Sequence, residues 1–202
     1  EMSQISEKHT EGRFFDFLIL GSGIAGLTCA LQLAKRGRVA IVTKKQKAES
    51  NTNYAQGGIA AVTSQEDSFE KHVQDTCKAG AGLCREEVVR TIVSEGPERI
   101  ASLIALGLSF SEREIPDSGG AREWDLGKEG GHSKRRILHC KDMTGKVIEQ
   151  ALLTAIAEDP NIEVLEDHFA IDLITSEKAS LPGESHCLGA YVLNVLTGKV
   201  EA

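Results

Sequence analysis

The chain has 202 residues, with 23 Lys and Arg against 30 Asp and Glu, a formal net charge of −7 that excludes a basic nucleic-acid footprint. Hydrophobic residues at 41% and charged residues at 26% are ordinary globular usage and exclude a disordered or fibrous chain. Five cysteines with no CxxC spacing give neither a disulfide framework nor a zinc knuckle and fit reduced thiols in a cytoplasmic compartment, while no apolar run reaches the roughly 18 residues of a membrane span.

Residues 1–13 are polar, carry both charges and lack the apolar segment of a secretory signal, so a flexible tail is expected ahead of a domain over 14–202. Phe14 to Leu20 is a compact apolar run that reads as a buried strand. Gly21-Ser22-Gly23-Ile24-Ala25-Gly26 follows, then apolar positions at helical spacing, with Gly37 where a helix would end and a second apolar run at Val39 to Val42. Strand, turn, helix and strand in about 30 residues imply a parallel sheet with a right-handed crossover. In that context GxGxxG reads as a phosphate-binding turn: Gly21 permits the tight turn, Gly23 admits a pyrophosphate to the backbone, and Gly26 lets helix and strand pack closely. The acid that usually binds a ribose at the end of the second strand is missing from Val42-Thr43-Lys44. Thr43 offers a hydroxyl there, Lys44 a charge for a phosphate, and Glu49 a stand-in acid; the pattern weakens an NAD reading and leaves room for FAD.

Residues 43–63 read as a functional loop. Within it Asn51-Thr52-Asn53-Tyr54-Ala55-Gln56-Gly57-Gly58 brings donors, acceptors and two adjacent glycines, and the apolar Ile59 to Val62 tail holds the loop to the core. A mainly helical stretch is expected from Asp67 to Leu106, broken at Gly96-Pro97, with Pro97 in the first turn of a new helix. Residues 111–136 have no periodicity and form a long loop, functional or disordered. At its end Glu129-Gly130-Gly131-His132-Ser133-Lys134-Arg135-Arg136-Ile137-Leu138-His139 combines an acid, two glycines, two histidines and three cations. Glu129 can pair with a substrate ammonium. His132 and His139 are candidates for substrate or flavin contacts, with a structural hydrogen-bonded histidine as the even alternative for each. Of Arg135 and Arg136, one is expected to be a structural ion-pair partner. A helix is expected over Thr144 to Glu158, begun by Asp142 and Thr144 with Thr144 as N-cap, and stopped at Asp159-Pro160. Strands follow at Ile162–Leu165, Phe169–Ile174, Cys187–Leu196 and Val200, which makes the class α/β.

The strings FDFLILGSGIAGL, NTNYAQGGIAAV, HVQDTCKAGAGLC, EGGHSKRRILH and DMTGKVIEQAL, in this order and spacing, resemble the fumarate reductase/succinate dehydrogenase flavoprotein superfamily and, within it, the L-aspartate oxidase family. The resemblance implies a Rossmann-like FAD-binding domain with a parallel sheet and a β-meander crossover. It implies an N-terminal fragment, incomplete at the C-terminus, without the capping domain or the catalytic Arg, and so inactive by itself. Noncovalent FAD would have its pyrophosphate on Ser22, Gly23, Ile24 and Ala25, its adenosine half by Lys44, and its flavin side wrapped by Asn51 to Gly58. Asn51 stands where succinate and fumarate enzymes carry the His that tethers flavin. Glu129 would orient the amino group of L-aspartate, whose oxidation to iminoaspartate begins NAD synthesis. Hydride would pass to flavin N5, O2 or fumarate would reoxidise it, and quinolinate synthase would be a partner because iminoaspartate is unstable. No nucleic acid, membrane or metal is implied. The rivals are a soluble fumarate reductase or succinate oxidase, against which Glu129 stands because succinate has no ammonium, and a noncatalytic flavin-binding module.

Overall fold

The computed structural model describes residues 12–47, 50–116, 118–140 and 143–202. Glu49, Asp142 and residues 1–11 of the expected tail lie outside the described residues. In chain order the elements are β1 (Phe17–Leu20), α1 (Ile24–Leu33), β2 (Val39–Val42), β3 (Ile59–Ala60), α2 (Phe69–Ala79), α3 (Glu86–Ala105), β4 (Glu112–Glu114), β5 (Arg122–Trp124), β6 (Ile137–Leu138), α4 (Thr144–Glu158), β7 (Ile162–Leu165), β8 (His168–Thr175), β9 (Cys187–Asn194) and β10 (Val200–Glu201). They fall into two compact units, one holding the described residues up to Ser50 with Leu152–Ala202, the other Asn51–Ala151.

In the first unit β1, β2 and β7 pair in parallel in the order β1-β2-β7, and every residue of β2 is buried. A continuous Val-Ala-Ile-Val run suits a central parallel strand covered on both faces. The expected meander is present as the antiparallel sheet β10-β9-β8. Val42 packs with Ala190, Val192, Leu165 and Ala170, which joins the two sheets through one apolar cluster. Phe169, Ile171, Leu173 and Leu188 stay about half exposed, leaving an apolar face on the meander. Two boundaries differ from expectation. The first strand begins at Phe17 and not Phe14, because the Asp16 carboxylate accepts the Arg38 N–H at 2.7 Å and ties off the chain before pairing starts. Helix α1 ends at Leu33, short of Gly37. A Cβ on Gly37 would lie 2.5 Å from an Asp16 carboxylate oxygen, so this glycine makes room for the tie and not for a helix end.

In the second unit Ser68 caps α2, its hydroxyl accepting the Lys71 N–H at 3.3 Å. Pro97 does not break the following helix: α3 runs unbroken from Glu86 to Ala105. Burial of Val93 before it and Ile100 after it holds the helix across the proline, against its local propensity. Residues 111–136 are not a featureless loop. They contain the hairpin β4–β5, whose alternating charges pair across the strands: Arg113 with Glu123 at 2.8 Å and Arg122 with Glu112 at 3.5 Å. Helix α4, whose residues from Leu152 on belong to the first unit, has the expected bounds, with Ile148, Leu152 and Ile156 buried at four-residue spacing. Thr144 is its first helical residue and not its N-cap, and its hydroxyl accepts the Cys140 N–H at 3.0 Å, closing the turn before the helix. Among the described residues, no helix is long and apolar enough to cross a membrane.

Candidate functional site

The phosphate-binding turn belongs to the first unit and is built by backbone. Gly21 has φ +108 and donates its N–H to Val42 O at 2.8 Å, so the turn is tied to the end of β2. A Cβ on Gly26 would lie 2.1 Å from Gly21 O and 3.3 Å from Ile19 Cγ2, so only glycine permits this approach of helix to strand. Gly23 is the N-cap of α1, with no side-chain cap and no acidic residue in the first turn, and Ile24 and Ala25 follow it. A helix N-terminus without competing negative charge fits a pyrophosphate. Ser22 is buried with its hydroxyl 3.0 Å from that of Thr43, also buried. Thr43 therefore braces the turn from the end of β2, while Lys44 beside it is exposed.

The second glycine-rich loop belongs to the other unit and is pinned at both ends by close backbone contacts. Gly145 at the start of α4 donates to Ala55 O at 3.2 Å, and a Cβ there would lie 2.0 Å from Thr52 O. A Cβ on Gly58 would lie 2.4 Å from both Ile137 Cγ2 and Leu138 O, where β3 pairs antiparallel with β6. Between these pins Asn51, Tyr54, Ala55, Gln56 and Gly57 are exposed, and Thr52 and Asn53 half-buried. The loop thus presents backbone and amide groups on a fixed frame, as a flavin-wrapping segment requires.

The loop from Glu129 to His139 joins this frame through β6. Its neck is closed by Gly127 N–H to Ile137 O at 2.8 Å and Arg136 N–H to Gly127 O at 3.1 Å. The His132 N–H donates to Glu129 O at 3.3 Å, and Gly131 at φ +87 makes the turn possible. Glu129 is exposed, and its Oε1 lies 3.8 Å from where a Cβ on Gly57 would sit. The structure therefore brings the candidate acid and the second glycine-rich loop together.

Under the loop lies a buried ionic cluster. Arg136, fully buried, donates Nε to Asp67 Oδ2 at 2.7 Å, Nη2 to Asp67 Oδ1 at 2.8 Å and Nη1 to Asp75 Oδ2 at 2.7 Å. Arg136 is thus the structural arginine; Arg135 is exposed and donates Nη1 to Leu126 O at 3.1 Å. Arg136 Nη1 also lies 3.3 Å from His132 Nδ1. A guanidinium only donates, so His132 Nδ1 is the acceptor. His139 Nε2 lies 3.6 Å from an Asp125 carboxylate oxygen, on the far side of the loop neck in sequence. Burial opposes the charge of Asp67 and Asp75, but their hydrogen bonds prevail: Asp67 is held below the usual carboxylate range, and Asp75, with Ser133 and Arg136 as donors, at about 2. Burial, then the nearby Arg136 charge and His132, push the His72 imidazole below its ordinary value. Its ring centroid lies 5.7 Å from that of His132.

Asp67, His72 and Asp75 escaped the sequence reading as site residues. The available signal was the three-residue spacing of His72 and Asp75, which puts both on one face of α2. Nothing in their spacing shows that this face meets a loop about 60 residues on.

A family profile described as FAD binding domain matches residues 16–202. The chain is 52% identical to L-aspartate oxidase 2-a, chloroplastic, of Nicotiana tabacum over 93% of its own length and 28% of that protein. It is 46% identical to the L-aspartate oxidase of Pseudomonas aeruginosa over 92% of its length and 35% of that protein. Among solved structures, an E. coli quinol fumarate reductase superposes with a TM-score of 0.81 at 29% identity, covering 93% of this chain and 30% of the other. The chain therefore spans about a third of the length of the relatives it matches.

Proposed function

The chain belongs to the FAD binding domain family, and from that premise we propose that the whole protein carrying it oxidises L-aspartate to iminoaspartate in the opening step of NAD biosynthesis. FAD, when bound, supplies the two-electron acceptor for the hydride that leaves the substrate α-carbon. Ser22, Gly23, Ile24, Ala25 and the Gly21–Gly26 frame hold its pyrophosphate at the N-terminus of α1, with Lys44 by the adenosine half. The loop from Asn51 to Gly58 holds the flavin side without a covalent bond, since Asn51 has no ring nitrogen to tether it. Glu129 receives the substrate ammonium and orients the α-carbon.

One observation carries this reading: an exposed carboxylate stands against Gly57 of the flavin loop, fixed on a turn whose neck is a strand of the same small sheet. A substrate with an ammonium group gains from that charge, whereas succinate gains nothing. The names of the relatives support the same substrate. O2 or fumarate serves as the final acceptor. Quinolinate synthase belongs to the proposal as consumer of the product, because an imine in water hydrolyses unless it is used. A cytoplasmic location belongs to it as well; the five free cysteines suit a reducing compartment, and the plant relative is named chloroplastic.

The test is anaerobic mixing of the whole flavin-loaded protein with L-aspartate or succinate. Aspartate should bleach the flavin absorbance and release ammonia and oxaloacetate on quenching. Bleaching by succinate with aspartate inert would replace this reading with a succinate or fumarate enzyme.

A further inference from the structure

We propose that Asp75, on helix α2, is a positioning residue for substrate selection, locking the turn that presents Glu129. The inference rests on the reading of Glu129 as the ammonium partner. Asp75 Oδ2 accepts three hydrogen bonds at once: from Ser133 N–H at 2.8 Å, from Ser133 Oγ at 2.7 Å and from Arg136 Nη1 at 2.7 Å. Two of these grip the residue directly after the Glu129–His132 turn, and the third grips the arginine at its neck. Arg136 also donates Nε and Nη2 to Asp67, so it cannot swing away without stranding a buried charge.

Asp75 holds the turn's far end beside the contacts that His132 makes with Arg136 and His72. A Cβ on Gly130 would meet nothing within 4 Å, and one on Gly131 would meet only Ala79 Cβ, at 3.7 Å. The two glycines shape the turn but have no side chain to make a contact that keeps it in place. Asp75 supplies that contact from α2, on the same face as His72. The carboxylate of Glu129 then has one place relative to Gly57, and the ammonium of the substrate has one place relative to the flavin loop. A loosened turn leaves the charge present but misplaced. That costs amine recognition and spares chemistry on substrates that have no amine.

The experiment is a double-mutant cycle in the whole flavin-loaded protein with Asp75→Asn, Glu129→Gln and the pair, read as kcat and KM for L-aspartate and for fumarate reduction. Asp75→Asn should lower aspartate kcat/KM by about tenfold to a hundredfold, mostly through KM, with fumarate reduction changed by far less. In the Glu129→Gln background, Asp75→Asn should add almost nothing, because the residue acts through Glu129. Ser133→Ala, which keeps the Asp75–Arg136 ion pair and removes one grip, should move aspartate KM in the same direction by a smaller factor and keeps the test open if Asp75→Asn misfolds. Multiplicative losses in the double variant, equal losses on both substrates, or an unchanged KM in Ser133→Ala would overturn the assignment of Asp75 alone. Unchanged aspartate turnover in Glu129→Gln would overturn the reading of Glu129, and this inference with it.

Discussion

Gly26 in the Gly21–Gly26 turn has no room for a methyl group, with Gly21 O 2.1 Å from where its Cβ would be, whereas a Cβ on Gly130 in the Glu129–His139 loop would meet nothing within 4 Å. The turn is a backbone object: its parts are neighbours in sequence, and glycine alone satisfies its contacts. The loop is a side-chain object, held from below by Asp67 and Asp75, 69 and 61 residues from Arg136. The first should therefore be broken by adding atoms, and the second by removing charge.

The largest effect is expected where charge is removed from the loop's anchor. Asp67→Ala removes two hydrogen bonds from the Arg136 guanidinium, in a site with no solvent access, and leaves it Asp75 as carboxylate partner. It should cost about 3–5 kcal/mol, read as lost amide-exchange protection in α2 and β6. Gly26→Ala should come next, at about 1–3 kcal/mol of overpacking, together with loss of bound FAD. If Gly26→Ala kept full flavin stoichiometry, the turn would not be the pyrophosphate site.

A smaller effect concerns acid. Asp75 is held at about 2 against the ordinary 3.8, so the unfolded chain takes up its proton more readily. Its contribution, about 2 kcal/mol, is complete above the unfolded value and is lost as pH falls through about 2. His72 is depressed as well, so its contribution is complete above about pH 6.5 and falls as pH drops below that value. Unfolding of the Asp75→Asn variant should show a shallower loss of stability between pH 4 and 2 and keep the loss that starts nearer neutrality. Smallest of all, Gly130→Ala should change stability by no more than about 0.5 kcal/mol. A large loss there would mean that backbone shape, and not the ionic cluster, holds the loop.

This contrast also explains what the sequence made legible. GSGIAG could be read because a strand, three glycines and a helix stand side by side and each glycine has a local steric reason. Helix α4 and strands β2 and β7 were readable through their apolar period and their stop signals. The exact partner of Arg136 was not readable, since an ion pair between a loop and a helix depends on the tertiary fold. Pro97 misled because local propensity marks it as a break, while burial on both sides carries α3 through. The hairpin β4–β5 was hidden because its pairing signal is charge alternation across strands and not an apolar face.

On the proposed reading the two glycine-rich loops hold FAD while Glu129 selects the substrate. The most direct test is Glu129→Gln in the whole protein, with FAD stoichiometry, aspartate kcat/KM and fumarate reduction measured on one preparation. The account predicts unchanged FAD content and fumarate reduction near its original rate. It predicts an aspartate kcat/KM lower by about 1.5–3 kcal/mol in transition-state terms, the value of a lost charged hydrogen bond. Equal loss on both substrates, or loss of FAD, would make Glu129 a structural or flavin-supporting residue and contradict the claim.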